Sequence, residues 1–327
     1  MSAALTSLFS GVGKTRHAAV VNLTSCTLNV VLDYILIFGK CGAPAMGIRG
    51  AGIATSTSAG CAFLLAALLF WFQDQDRCPT RSHRGFSWAE IRRLFRFGTP
   101  AGLQVFSDLG AFTVFSFLIG LIDKEAMVVS AIVLTIDHLA FNPMLGLGDA
   151  TAILAGQFIG ARHPNLVYRL IRRAWHMVII YMGLIAMLYL FLPEWLLNQF
   201  APKNYEGSIS FARVVQQGKS LLVFVLIYNL FDATKFVIMG LLRGAGDTRI
   251  CVVITTVCAW GLMIPGMAIL IFYFKVGLTG VWIYSTCCVF LETLIYFWRF
   301  KTEKWKKIKV IGQPPAPREP HIVREII

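Results

Sequence analysis

Residues 241–272 read LLRGAGDTRICVVITTVCAWGLMIPGMAILIF, a charged turn followed by an apolar run, 250–272, that holds no Asp, Glu, Lys or Arg. At about 1.5 Å per residue a helix of that length crosses the roughly 30 Å of hydrocarbon in a bilayer. The run is continuously apolar and does not alternate with period two, so it reads as a helix and not as a strand of a membrane barrel. Seven more such runs surround it, over residues 17–38, 50–72, 98–122, 127–158, 172–192, 220–242 and 276–298. The composition agrees: of 327 residues, 57% are apolar and 14% charged, with a mean hydropathy of +0.67. A soluble domain carries about a quarter charged residues, and a disordered chain far fewer apolar ones. The eight cysteines sit singly or adjacent, without the spacing of a disulfide framework.

The basic excess, 30 Lys and Arg against 17 acidic residues, would in a soluble chain suggest a nucleic-acid partner. Its placement says otherwise. The segments on one side of the eight spans hold about 22 basic residues and those on the other side about 7, the asymmetry of the positive-inside rule. The expectation is a multi-pass protein of the cell (inner) membrane with both termini cytoplasmic and no nucleic-acid partner.

Gly13, Lys14 and Thr15 do not make a phosphate-binding loop, because the first glycine of that motif falls on Leu8. The stretch FSWAEIRRLFRF (86–97) pairs a capping box, Ser87 and Glu90, with apolar residues at helical intervals, and is expected to lie along the inner membrane surface. The basic tail from Lys301 runs into QPPAPREP (313–320), an extended or disordered composition.

The chain also repeats itself. LFSGVGKTR (8–16) matches LLRGAGDTR (241–249), and GIRGAGIAT (47–55) matches GLTGVWIYS (277–285), each pair about 230 residues apart and each leading into a span. Two copies separated by six spans share one membrane orientation, which is the plan of a two-lobe transporter. Four spans precede the motif in the second copy and none in the first. The expectation is a fragment, a truncated start, or a shortened protein completed by a partner.

With these motifs in hand the sequence resembles the multidrug and toxic compound extrusion (MATE) family of cation-coupled antiporters. The pieces that carry the resemblance are NVVLDYILIFG (29–39), GIRGAGIAT (47–55), PAGLQVFSD (100–108), PMLGLG (143–148), GQFIG (156–160) and LRGAGDTR (242–249). The resemblance implies an all-α, two-lobe helical bundle in which the eight spans are helices five to twelve of twelve. Residues 1–72 are then the end of the first lobe, 73–97 a cytoplasmic linker with an amphipathic helix, 98–299 the second lobe with six spans, and 300–327 a basic, proline-containing cytoplasmic tail. It implies alternating-access export of amphipathic or cationic drug-like molecules by a monomer in contact with lipid, with no cofactor beyond a coupling ion, Na⁺ or H⁺. The alternatives are a lipid-linked oligosaccharide flippase, which needs a basic cavity, and a non-transporting partner subunit. No metal-ligand spacing, nucleophile elbow or zinc-protease helix supports an enzyme.

A carboxylate at bilayer depth costs about 2.5–3.5 kcal/mol on insertion scales, so acids inside spans are functional candidates. Asp33, Asp108, Asp137, Asp149, Asp232 and Glu292 lie within or at the edges of spans. Tyr228 stands one turn before Asp232, on the same face. The resemblance assigns Asp108, Asp232 and Tyr228 to the coupling cation; Asp108 departs from the family's more frequent Glu. An all-oxygen site suits Na⁺, held by Asp108 and Asp232 with no other metal implied, whereas a desolvated carboxylate instead carries a proton. Lys235, three residues after Asp232, either pairs with it or snorkels to the membrane edge. Asn29 and Asp33 form a second polar patch, which the resemblance links to a proton site on the first lobe. Asp137 sits before Asn142 and Pro143, where the proline is expected to bend the helix and free carbonyls. His138 is expected to be a satisfied buried histidine, and Asp149 and Glu292 are weaker candidates near a helix end or an interface. Phe106, Phe112, Phe115, Phe141 and Phe231 are candidates to line a pocket for flat cations.

Overall fold

All regular structure among the described residues of the computed structural model, 2–72, 87–201 and 211–308, is helical, and eight helices are long and apolar enough to cross a membrane. The chain divides into two compact units, Met1–Ser87 and Trp88–Arg318. Most of the 73–97 linker and the 313–320 stretch lie outside the described residues.

In the first unit, α1 (Ser2–Gly11), α2 (Thr15–Phe38) and α3 (Ile48–Trp71) follow one another through short turns. Phe9, Ala18, Val21, Ala62 and Ala66 form its core. Alanines and glycines let α2 and α3 approach closely: a Cβ on Gly50 would stand 2.6 Å from the Leu36 carbonyl oxygen.

The second unit holds α4 (Trp88–Gly120), α5 (Lys124–Gly160), α6 (Leu166–Phe191), the short α7 (Pro193–Asn198) and α8 (Phe211–Gly244). Its last span is α11 (Leu278–Lys301); before it comes a span built from α9 (Thr248–Thr256), a π-helical stretch Val257–Met263 and α10 (Ile264–Phe272). The π-helical stretch ends two residues before Pro265, which has no N–H to continue an α-helical ladder. Tyr284 on α11 donates its hydroxyl to the Leu262 carbonyl in that stretch, 2.9 Å away. The surface helix expected over residues 86–97 is not a separate element. From Trp88 it runs unbroken through Pro100 into α4, because Ala89, Glu90, Arg92, Leu94 and Arg96 all favour helix.

The repeated motif encodes one helix stop twice. After α1 the N–H of Lys14 bonds the Phe9 carbonyl at 2.8 Å, and after α8 the N–H of Asp247 bonds the Leu242 carbonyl at the same distance. Gly13 (φ 85°) and Gly246 (φ 86°) occupy the left-handed position that such a Schellman cap requires. Gly47 and Gly277 likewise stand at the N-caps of α3 and α11.

Helices α5 and α8 make the closest pairing. A Cβ on Gly240 would collide with the Gly148 carbonyl, and one on Gly244 with the Ala152 carbonyl. Glycine and alanine at 148, 152, 240 and 244 therefore bring two backbones into direct contact, as small residues do inside bilayers. Around this seam Val129, Val133, Ile136, Leu221, Leu222 and Val225 are buried. At the end of the seam Arg243 pairs with Asp149 at 3.6 Å, and Arg299 binds Asp247 through Nε at 2.8 Å and Nη2 at 2.6 Å.

Beyond α11 the 3₁₀ turn Lys304–Lys307 folds back, burying Trp305 against Phe300 and Tyr168 of α6. Glu303 accepts hydrogen bonds from Lys306 and the Tyr168 hydroxyl, which hold its carboxyl below the ordinary carboxylate range. A lowered carboxyl stabilises the folded clasp above its unfolded pKa of about 4.3 and loses that contribution as pH falls through the lowered value. The Trp305 fluorescence, taken as the difference from a Trp305→Phe variant, is expected to stay constant from pH 8 to about 5 and change below about 4. Glu303→Gln removes that acid transition.

Candidate functional site

Helix α8 presents Tyr228, Asn229, Asp232 and Lys235 over two turns, and it carries them between α5, α4 and α11. Asp232 is 3% exposed. Lys235 places its ammonium 2.5 Å from Asp232 Oδ1 and 3.3 Å from Glu292 Oε2, so one lysine bridges two carboxylates on two helices. Lys235 turns inward, its side chain 13% exposed, with its ammonium also 5.2 Å from the Phe236 ring. A buried ammonium needs such partners, because an unpaired one leaves a large desolvation cost uncompensated. Tyr228 points its hydroxyl at Asp232 Oδ2, 3.5 Å away, a long contact.

Glu292, a weaker candidate placed near a helix end or an interface, is 8% exposed and lies in this cluster between α11 and α8. It shares one buried face of α11 with Ser285, Cys288 and Tyr296, which lie three or four residues apart. Its Oε1 is buried and lacks a hydrogen-bond partner.

Asp108 on α4 is exposed, yet it lies within electrostatic range of Asp232, Lys235, Glu292 and Arg243. It is the accessible acid beside a buried triad. One turn earlier, Gln104 is 1% exposed and donates to Thr255 Oγ1 at 3.3 Å. Ser107 meets Thr256 at 3.3 Å and accepts from the Trp260 indole at 3.0 Å. These bonds fix α4 against α9 and the π-helical stretch. Thr255 in turn meets the Tyr296 hydroxyl at 2.8 Å, and Tyr296 donates to the Cys251 carbonyl at 3.0 Å. The sequence reading missed Gln104, Thr255 and Tyr296, since polar uncharged residues in a span carry no insertion penalty large enough to stand out.

Asp137 is 5% exposed and accepts from Asn229 Nδ2 at 2.7 Å, so it borders the triad on the α5 side. Helix α5 continues through Pro143, and two carbonyls of the preceding turn are satisfied by side chains. Asn142 donates to the His138 carbonyl at 2.7 Å and Tyr181 to the Ala140 carbonyl at 2.7 Å. His138 is exposed and not buried as expected, its ring 5.2 Å from Phe112, because Asp137 takes the inward face. Asp149 has a 72% exposed side chain at the Arg243 end. In the first unit Asn29 bonds Thr55 at 3.4 Å and not Asp33, whose Oδ1 is buried without a partner.

Of the aromatic candidates, Phe115 and Phe141 are buried core residues, packed edge-on against Trp282 and Phe236. Phe231 packs on Phe290 at 4.8 Å. Phe106 remains open, 75% exposed.

A family model described as MatE matches residues 100–269. The chain is 29% identical over 282 residues to a probable multidrug resistance protein NorM of Mesorhizobium japonicum, over 85% of this chain and 60% of that one. It is 30% identical over 310 residues to a probable NorM of Mannheimia succiniciproducens, over 91% of this chain and 64% of that one. A solved structure described as MATE in complex with MaD3S superposes with a TM-score of 0.79 at 20% identity, over 93% of this chain and 66% of that one. The chain thus spans less than two thirds of the length of each of these proteins.

Proposed function

Since the chain belongs to the MatE family, of transporters and not enzymes, we propose that it exports amphipathic, often cationic small molecules in exchange for protons. The observation that carries the choice of ion is the Lys235 ammonium on Asp232 Oδ1. Two unit charges 4 Å apart repel by about 4 kcal/mol at an effective dielectric of 20, so a Na⁺ sharing Asp232 would have to overcome a cation already in place. A proton needs no shell of oxygens, and the triad carries one carboxylate more than its single lysine neutralises, which leaves a place for one.

In this reading the chain is an inner-membrane monomer with both termini cytoplasmic, in contact with lipid and with drug-like molecules. Asp108 offers the accessible negative charge to which a cationic substrate is drawn, while the buried triad senses the proton. Substrate and proton then exclude each other through one shared negative charge, and alternating access converts that exclusion into transport. The flippase reading fits less well, since the lysine it would rely on is already matched by two carboxylates.

Efflux of ethidium from vesicles carrying the protein, with pH and Na⁺ gradients imposed separately, tests this. The pH gradient is expected to drive efflux and the Na⁺ gradient to leave it unchanged. Lys235→Gln, which frees the Asp232 oxygen, is expected to introduce a Na⁺ response. Efflux driven by Na⁺ alone in the unaltered protein would overturn the choice of proton.

A further inference from the structure

The triad has a charge imbalance that one proton removes. Ionised Asp232 and Glu292 against the single Lys235 leave one net negative charge inside the bundle. The two acids are not equivalent. Asp232 has Oδ1 in an ion pair with Lys235 at 2.5 Å, without a hydrogen bond, and Oδ2 against the Tyr228 hydroxyl at 3.5 Å. Glu292 has the longer contact to Lys235, 3.3 Å through Oε2, and its Oε1 is buried with no hydrogen bond. A buried carboxylate oxygen without a donor is costly, and a proton added there removes the cost.

The surroundings of Glu292 accommodate either state. Facing it are Asp232, Lys235 and Tyr228 from α8, Asp108 from α4 and Cys258 from the π-helical stretch, with Cys288 and Tyr296 on its own helix. The Thr255 hydroxyl faces the same carboxylate and meets Tyr296 at 2.8 Å with either oxygen able to donate.

We propose that Glu292 is the residue that takes up and releases the coupled proton, with Lys235 bridging it to Asp232. This rests on the proton-coupled reading above. A proton arriving from water forms an O–H bond at the unpartnered Oε1, and the triad passes from one net negative charge to none. The lost negative charge weakens the attraction of the site for a cationic substrate, which is the competition that antiport requires.

Infrared difference spectra recorded across the pH range over which efflux changes read the proton directly. The carbonyl band of a protonated carboxyl is expected to shift when glutamate, and not aspartate, carries ¹³C in its carboxyl group, and to vanish in Glu292→Gln. In Glu292→Asp the band is expected to return and to shift with the aspartate label, which separates loss of the proton site from loss of the fold. In parallel, the Kd for ethidium is expected to rise about tenfold per pH unit on the acid side of the transition in the unaltered protein and to lose that slope in Glu292→Gln. A band that follows the aspartate label in the unaltered protein, or that survives Glu292→Gln, overturns the assignment to Glu292 while leaving proton coupling intact. Efflux that answers only to Na⁺ overturns the proton-coupled reading itself.

Discussion

Asp232→Asn is expected to abolish gradient-driven efflux, by about a hundredfold or more, while the protein still inserts and folds. A hundredfold corresponds to about 2.8 kcal/mol of lost coupling. Asn keeps the shape of the side chain, and Lys235 retains Glu292 at 3.3 Å as a partner, so no charge is stranded. What changes is the balance of charge. With Asp232 neutral, Lys235 and Glu292 cancel, Glu292 is held ionised by the whole lysine charge, and the site no longer needs a proton near neutral pH. Substrate binding and protonation then cease to compete. Ethidium efflux from vesicles, normalised to folded protein measured by gel filtration, checks this. Efflux within a fewfold of the unaltered protein would remove Asp232 from the mechanism.

Gly240→Leu is expected to prevent folding. Even a Cβ at this position collides with the Gly148 carbonyl, and the opposing atoms are main chain that cannot swing aside. The α5–α8 seam would have to open, uncovering contacts among residues such as Val133, Leu222 and Val225, which are 0% exposed. Overpacking and lost burial on this scale cost about 3–5 kcal/mol, a large share of typical stability. Gly146→Ala is the control, because nothing lies within 4 Å of a Cβ there although it is on α5, the helix that Gly240 faces. Folded yield in detergent is expected to collapse for the first and to stay near that of the unaltered protein for the second.

The spans were legible because a helix in hydrocarbon must satisfy every backbone group internally, which makes long apolar runs unambiguous. The stops were legible too, since only glycine fits the left-handed turn positions at 13 and 246. Helix extents were less so. Helices α4 and α8 begin at Trp88 and Phe211, about ten residues before their apolar runs, because helix propensity outlasts hydrophobicity. At the site, Asp108, Asp232, Tyr228 and Lys235 were all picked out from the sequence, but Glu292 as a second partner of Lys235 was not. Glu292 and Asp149 looked alike as acids near span ends, yet one is buried on Lys235 and the other largely exposed at Arg243. Which face of α11 meets α8 is set by tertiary packing, and no periodicity within one helix fixes it.

Proton release on substrate binding tests the central claim most directly. When ethidium is added to the purified protein in weakly buffered solution near neutral pH, about one proton is expected to leave per ethidium bound, and none in Asp232→Asn. Ethidium that binds the unaltered protein without proton release, or with release of Na⁺ instead, would contradict the account.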